Sequence, residues 1–270
     1  MGELEALTPG GGTVASVTHR GLRRARNEDA VCVITGETRG EPWAALVVCD
    51  GVSTSAQAGA AAAIAARVAC DALAGYARGG ETVRGAPTEA VARAVRLAHD
   101  AVCRAGLDAG GAEPPGTTLV AALVQRQRVA VGWAGDSRAY WVTASGAELL
   151  THDHSWANEM VALGEMTEAE AMRAPNAHAI TRCLGPLETL SDDGLPEPEV
   201  REVRLRAGGH VVLCTDGLWN YACAATEIAA LVRAPGPGAS PAEIARALVR
   251  HALASGGRDN VAVAVHAYAS

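Results

Sequence analysis

The stretch Trp43-Ala44-Ala45-Leu46-Val47-Val48-Cys49-Asp50-Gly51 constrains the fold more than any other. An unbroken apolar run of strand length predicts a strand buried on both faces. The carboxylate at its very end must either turn into solvent or stand at the rim of a site, because a core strand has no use for a charge. The pattern returns at His210-Val211-Val212-Leu213-Cys214-Thr215-Asp216-Gly217, so two similar strand ends are available to face each other. Asp-Gly after a strand is by itself a turn signal, since Asp bonds its own backbone and Gly accepts positive φ. The site reading gains weight only when further acids occupy similar settings.

A chain of 270 residues is one large domain or two small ones, long enough to bury a core without disulfides. It contains no lysine, which excludes a P-loop lysine, a kinase ATP-binding lysine and a Schiff base. The net charge of −7 argues against general binding to nucleic acid or anionic membranes. The seven cysteines lack Cys-x-x-Cys spacing, none has an arginine six positions on, and they read as small buried hydrophobes in a reducing compartment. No charged segment leads into an apolar one at the N-terminus, and Gly, Arg or Asp breaks each apolar stretch within about a dozen residues. A soluble, cytoplasmic protein is expected.

Residues 1–12 end in three glycines and predict a loose tail. After a short strand from Thr13 to Thr18, the segment from His19 to Asp29 sets Arg20, Arg23, Arg24 and Arg26 beside the adjacent acids Glu28 and Asp29. Such a loop is either solvated and self-paired or a phosphate grip next to a metal site, since guanidinium forks match phosphate oxygens and paired carboxylates recruit hard cations. Beyond Gly51, Ser53 or Ser55 is placed to cap an alanine-rich helix that runs to about Arg78 and stops at Gly79-Gly80. A second helix follows Pro87-Thr88 and reaches about Ala105, with Val91, Val95, Ala98 and Val102 on one face. Thr117 to Val124 and Arg128 to Ala134 read as a hairpin, followed by Gly135-Asp136-Ser137-Arg138 and a strand from Ala139 to Val142.

Thr151-His152-Asp153-His154-Ser155 opens a polar, irregular stretch to about Gly185, with a helical piece from Thr167 to Met172. Its length predicts a flap over a site. His152 and His154 offer two zinc ligands but no third at a defined spacing, a weaker reading than two satisfied or exposed histidines. Glu199 to Leu205 alternates as a strand, Gly208-Gly209 turns the chain, and the second Asp-Gly strand returns. Thr226 is placed to cap a short helix, and Ser240-Pro241-Ala242-Glu243 is a capping box with proline at the first helical position. That last helix ends at Gly256-Gly257, before Arg258-Asp259-Asn260 and a strand from Val261 to His266.

Glu28, Asp29, Asp50, Asp136, Asp216 and Asp259 thus all lie where a strand meets a turn. Like charges tolerate a shared cluster only if cations neutralise them, and all-oxygen ligands point to Mg²⁺ or Mn²⁺ over zinc. The glycine at Gly51 would let a backbone carbonyl approach the same ion.

In sequence order, Arg24-x-x-Asn27-Glu28-Asp29, Asp50-Gly51, Gly116-Thr117-Thr118, Gly135-Asp136-Ser137-Arg138, Leu150-Thr151-x-Asp153-His154-Ser155, Asp216-Gly217-Leu218-Trp219 and Gly257-Arg258-Asp259-Asn260 resemble the motifs of the metal-dependent, type 2C protein serine/threonine phosphatases in their bacterial form. The resemblance covers Ser16 to His266. It implies an α+β fold, a four-layer α-β-β-α sandwich of two antiparallel sheets flanked by antiparallel helices, as a single domain over 13–270 with 151–185 as the flap.

It also implies two Mn²⁺ or Mg²⁺ ions and a possible third. Asp50 would bridge, with Glu28 and the Gly51 carbonyl on one ion and Asp216 and Asp259 on the other. Asp29 would act through water, Asp136 with Asp216 would form the weaker third site, and Arg24 would hold the substrate phosphate. The implied reaction is direct attack of a water between the cations on phosphoserine or phosphothreonine in proteins. The implied partners are phosphorylated proteins made by a serine/threonine kinase, met by a monomer without nucleic acid or membrane.

Three departures from the pattern stand out. Val52-Ser53-Thr54-Ser55 replaces the usual glycine-rich continuation, no histidine follows Asp50-Gly51 closely as a proton donor, and Asn220 stands where an acid is common. The alternatives are a catalytically silent homologue that binds phosphoproteins or a regulatory partner, favoured by loss of a metal carboxylate, and a two-metal nuclease or phosphodiesterase, which would want a basic groove.

Overall fold

The computed structural model describes residues 12–52, 57–79, 85–109, 114–186 and 198–269. The tail predicted at residues 1–12 lies, apart from Gly12, outside them, as do the serines at 53 and 55.

In chain order the elements are β1 (Val14–His19), β2 (Asp29–Thr38), β3 (Glu41–Asp50), α1 (Ala58–Ala77), α2 (Pro87–Ala109), β4 (Leu119–Gln125), β5 (Arg128–Ala134), β6 (Arg138–Thr143) and β7 (Ala147–Leu149). The second half adds α3 (Trp156–Ala162), α4 (Glu168–Ala171), β8 (Glu199–Arg204), β9 (Gly209–Cys214), α5 (Asp216–Trp219), α6 (Ala225–Arg233), α7 (Pro241–Ala254) and β10 (Val261–Tyr268). The strands form two five-stranded antiparallel sheets, β1-β10-β9-β6-β7 and β2-β3-β4-β5-β8.

Strand alternation explains the layers. On β3, Ala45, Val47 and Cys49 face α1 and α2, while Ala44, Leu46 and Val48 face the other sheet. On β10, Val261, Val263 and Val265 face α6 and α7, and Ala262 and Ala264 point into the gap between sheets. Both faces of the central strands are therefore dry, which is why they read as continuous apolar runs. Each fully buried Val or Leu contributes about 1.5–3 kcal/mol relative to exposure. The alanine stripe Ala58, Ala61, Ala62, Ala65, Ala66 and Ala69 of α1 is buried, and its small side chains fit a helix packed closely against α2 and the β2–β3 face.

Several local expectations are corrected. Gln57 is the N-cap residue of α1, with no side-chain cap bond, so the capping role assigned to Ser53 or Ser55 is not needed to start the helix at Ala58. The cap of α6 is Ala224 instead of Thr226, and Glu227 accepts the Ala224 N–H at 2.9 Å. The helix after Pro87 continues past Ala105 to Ala109. β8 and β9, expected to fold back on each other, join different sheets, β8 pairing with β5 and β9 with β6 and β10. A strand's alternation records how its faces are covered and not which sheet it joins. Among the described residues one helix, α1, is long and apolar enough to cross a membrane by length and composition, although Arg67 and Asp71 interrupt it as expected. Its buried half packs on the sheet. Cys223 is exposed, and Cys32 and Cys103 are half-buried, so the reading of the cysteines as buried hydrophobes holds for the other four.

Candidate metal centre

The antiparallel register of β2 and β3 sets Asp29 directly opposite Asp50. The start of β4 then fixes the Asp50 backbone. Thr118 N donates to the Asp50 carbonyl at 2.8 Å, Thr117 Oγ1 donates to it at 2.9 Å, and Asp50 N donates to Thr118 Oγ1 at 3.1 Å. From the other sheet, Thr215 at the end of β9 donates through Oγ1 to Asp29 Oδ2 at 2.8 Å, and Asp216 follows as the first residue of α5. Burial raises the pKa of Asp50, and Asp29 and Asp216 lie close enough for their charges to raise it further. The two Asp-Gly strand ends do face each other across the sandwich.

Asn260 secures the arginine-rich loop to the same rim. Its Oδ1 accepts the Glu28 N–H at 2.8 Å, and its Nδ2 donates to the carbonyls of Arg20 and Arg26 at 2.9 and 2.8 Å. Arg24 Nη2 donates to Asp259 Oδ2 at 2.6 Å. Gly51 N donates to the Glu28 carbonyl at 3.2 Å, and a Cβ at Gly51 would lie 2.7 Å from the Ala58 backbone and 2.8 Å from that carbonyl. Only glycine fits this approach. Asp136, buried after β5, has its carbonyl held by Trp219 Nε1 at 2.9 Å. Beside it a cavity of about 340 Å³ opens between β6, α5 and the 151–185 segment, lined by Arg138, His152, Asp153, Met172, His178 and Trp219 among others.

Electrostatically the cluster is costly. Burial, then repulsion from Asp216, pushes Asp29 well above the usual carboxylate range. Burial with Asp29, Asp216 and Asp136 does the same to Asp50. Burial and Asp259 raise Asp216, and burial with Asp216 and Asp153 raises Asp136 to about 7. Three buried oxygens, Oδ1 of Asp29, Asp136 and Asp216, have no hydrogen-bond partner. Asp29 and Asp216 each have the second oxygen tied, by Thr215 and by Asn220 Nδ2 at 3.1 Å. Each thus presents one free oxygen anion-side to its neighbours. Hard oxygen donors that repel one another and lack protons to accept suit a divalent cation.

Thr118, Thr215, Asn260 and Trp219 escaped sequence reasoning as site residues because their role is to hold carboxylates through contacts made only after folding. Thr118, Asn260 and Trp219 did stand inside quoted motifs, which was the available signal. The third partner that His152 and His154 lacked in sequence is Glu199. Its Oε2 is 3.1 Å from His152 Nε2 and its Oε1 is 3.1 Å from His154 Nε2, the one compact trio of possible ligands among the described residues.

Known proteins resemble this chain in sequence and fold. The chain is 32% identical over 148 residues to the serine/threonine phosphatase stp of Listeria welshimeri, covering 55% of each chain. It therefore spans little more than half the length of that relative. The Mycobacterium tuberculosis serine/threonine phosphatase PstP/Ppp superposes with a TM-score of 0.75 at 30% identity, over 95% of this chain and 98% of that one. The catalytic domain of serine threonine protein phosphatase PstP in complex with two manganese ions gives 0.69 at 29% identity, over 95% and 98%. The family model described as protein phosphatase 2C matches residues 16–261. Together with the two-sheet fold and the rim of facing carboxylates, that match shows that the chain belongs to the protein phosphatase 2C family.

Proposed function

We propose that the chain hydrolyses phosphoserine and phosphothreonine in proteins at a centre of two Mn²⁺ or Mg²⁺ ions with a possible third, water attacking phosphorus with no covalent phosphoenzyme. The observation that carries this reading is the set of buried, unpartnered carboxylate oxygens on Asp29, Asp136 and Asp216 around Asp50. Following the family motif, Glu28, Asp50 and the Gly51 carbonyl would hold one ion, and Asp50, Asp216 and Asp259 the other. Asp29 would act through water, and Asp136 with Asp216 would hold the third. When bound, such cations neutralise the acids and lower the pKa of water toward neutrality.

The protein's own groups do the rest. Arg24, at the rim beside Asp259, binds and orients the phosphate through its guanidinium fork. Thr215 and Asn220 fix which oxygen of Asp29 and of Asp216 turns inward. The 151–185 segment, one wall of the cavity beside Asp136, is the flap over the bound phosphoprotein. The protein so described is a single domain over 13–270 that works as a cytoplasmic monomer on products of a serine/threonine kinase.

The test is hydrolysis of a small aryl phosphate and a phosphothreonine peptide with Mn²⁺, with Mg²⁺ and with chelator, alongside Asp216→Asn. Metal-dependent turnover that disappears in chelator and in the variant is expected. Retained metal binding with no turnover of either substrate would replace the enzyme with a silent phosphoprotein-binding homologue.

A further inference from the structure

The trio of His152, His154 and Glu199 has the look of a zinc site, but the hydrogen bonds around His154 give it another role. Its Nδ1 accepts the Gly135 N–H at 3.1 Å. An amide is always a donor, so Nδ1 carries a lone pair and the neutral ring bears its proton on Nε2, which donates to Glu199 Oε1 at 3.1 Å. Burial lowers the His154 pKa, which keeps the ring neutral. A metal on Nε2 would force that proton onto Nδ1, against the Gly135 N–H. Arg182 already places a cation on Glu199, with Nη1 to Oε1 at 3.0 Å.

We propose that His154 is a positioning residue for Asp136, clamping the Gly135 peptide from both sides while Glu199 holds the ring. The inference rests on Asp136 serving as a metal ligand. Besides the Nδ1 bond, His154 N donates to the Gly135 carbonyl at 3.0 Å. Gly135 has φ +109°, and a Cβ there would lie 2.6 Å from the Thr118 side chain, so the peptide is wedged between Thr118 and the imidazole. Thr118 Oγ1 in turn accepts the Asp50 N–H and meets Ser137 Oγ at 2.8 Å. With Trp219 holding the carbonyl of Asp136, the direction in which its carboxylate leaves the chain is set at Gly135. Glu199 begins β8, and Arg182 and His152 belong to the 151–185 segment. The anchor of the third-ion carboxylate is therefore shared between that segment and the sheet edge.

The test is Mn²⁺ titration calorimetry on the full chain, comparing wild type with Asp136→Asn, His154→Gln, His154→Asn and Glu199→Ala. Asp136→Asn is expected to lose the weakest Mn²⁺ site. His154→Gln should weaken that same site about tenfold and spare the tighter ones. Asn at 154 carries an acceptor at the position of Nδ1 and should recover binding to within about threefold, whereas a residue needed only for packing would show no such rescue. Glu199→Ala should weaken the site about threefold with the imidazole still present.

Wild-type binding by His154→Gln beside a damaged Asp136→Asn would overturn the positioning role alone. Wild-type binding by Asp136→Asn would remove Asp136 from the ligands and the inference with it. If His154→Gln does not fold, loss in Glu199→Ala with retention in His154→Asn is the required pattern, and any other overturns the proposal. A stoichiometric Zn²⁺ site abolished by His152→Ala would overturn the tautomer on which it stands.

Discussion

Arg24 and Asp259 are partners at 2.6 Å, each about a third exposed, yet the proposed reaction asks each to serve something else. A guanidinium and a divalent cation compete for one carboxylate, so Arg24→Ala should tighten Mn²⁺ binding about threefold by calorimetry while raising KM for a phosphothreonine peptide at least about tenfold. Unchanged Mn²⁺ affinity would show that the pair does not restrain the metal rim. Asn260 poses a purely structural demand. Buried at 4% exposure, it satisfies one amide and two carbonyls of the arginine loop. Asn260→Ala leaves those groups without partners and should cost about 2–3 kcal/mol in urea unfolding. A cost below about 0.5 kcal/mol would mean that water replaces the side chain at no penalty. Asn260 could be quoted from a motif, but its three bonds could not, since they join positions some 230 residues apart.

At the scale of elements, the most legible were those whose burial leaves a mark on sequence. β3 and β9 read as unbroken apolar runs because both faces are dry, and the α2 face of Val91, Val95, Ala98 and Val102 reads at helical spacing. What stayed hidden was assignment between sheets. Leu205 to Gly208 carries the chain from one sheet to the other, and the same turn residues would have served a hairpin. Glu199 meets His154 for that reason, since β8 lies on β5 and brings its first residue to the rim, a contact no local pattern encodes. β10 also carries a pH liability. His266 lies in register with Val211, on the face between sheets, and burial with His210 nearby lowers its pKa to about 4. The unfolded chain takes up that proton near pH 6.5, so it binds more protons between the two values and stability falls as pH drops through that window. By pH 5 the loss is about 2 kcal/mol. His266→Leu should remove that part of the slope in urea titrations at pH 7 and pH 5. Equal slopes would place the acid sensitivity elsewhere.

For the whole molecule, the proposed metal site would trade stability for function. Buried acids that raise one another's pKa oppose folding until cations arrive. Mn²⁺ at a hundredfold excess over its Kd should add about 2.7 kcal/mol per site, read as a rise in Tm that chelator reverses. Asp216→Asn should raise the Tm of the chelated protein, by about 1 kcal/mol of stability, and abolish most of the Mn²⁺ response. A variant less stable than wild type in chelator would show that Asp216 is held for its hydrogen bonds and not against its charge. The pairing of β1 with β10 adds a constraint of timing. A ribosome emits Glu28, Asp29 and Asp50 well before Asp259, and β1 waits with an open edge until β10 appears between it and β9. The sheet that carries β2, β3, β4, β5 and β8 can close while synthesis continues, but the carboxylate rim cannot be completed until Asp259 and β10 are out. A nascent chain of this design therefore cannot assemble the proposed phosphatase site, however long its first sheet has been closed, before the segment around Asp259 has emerged.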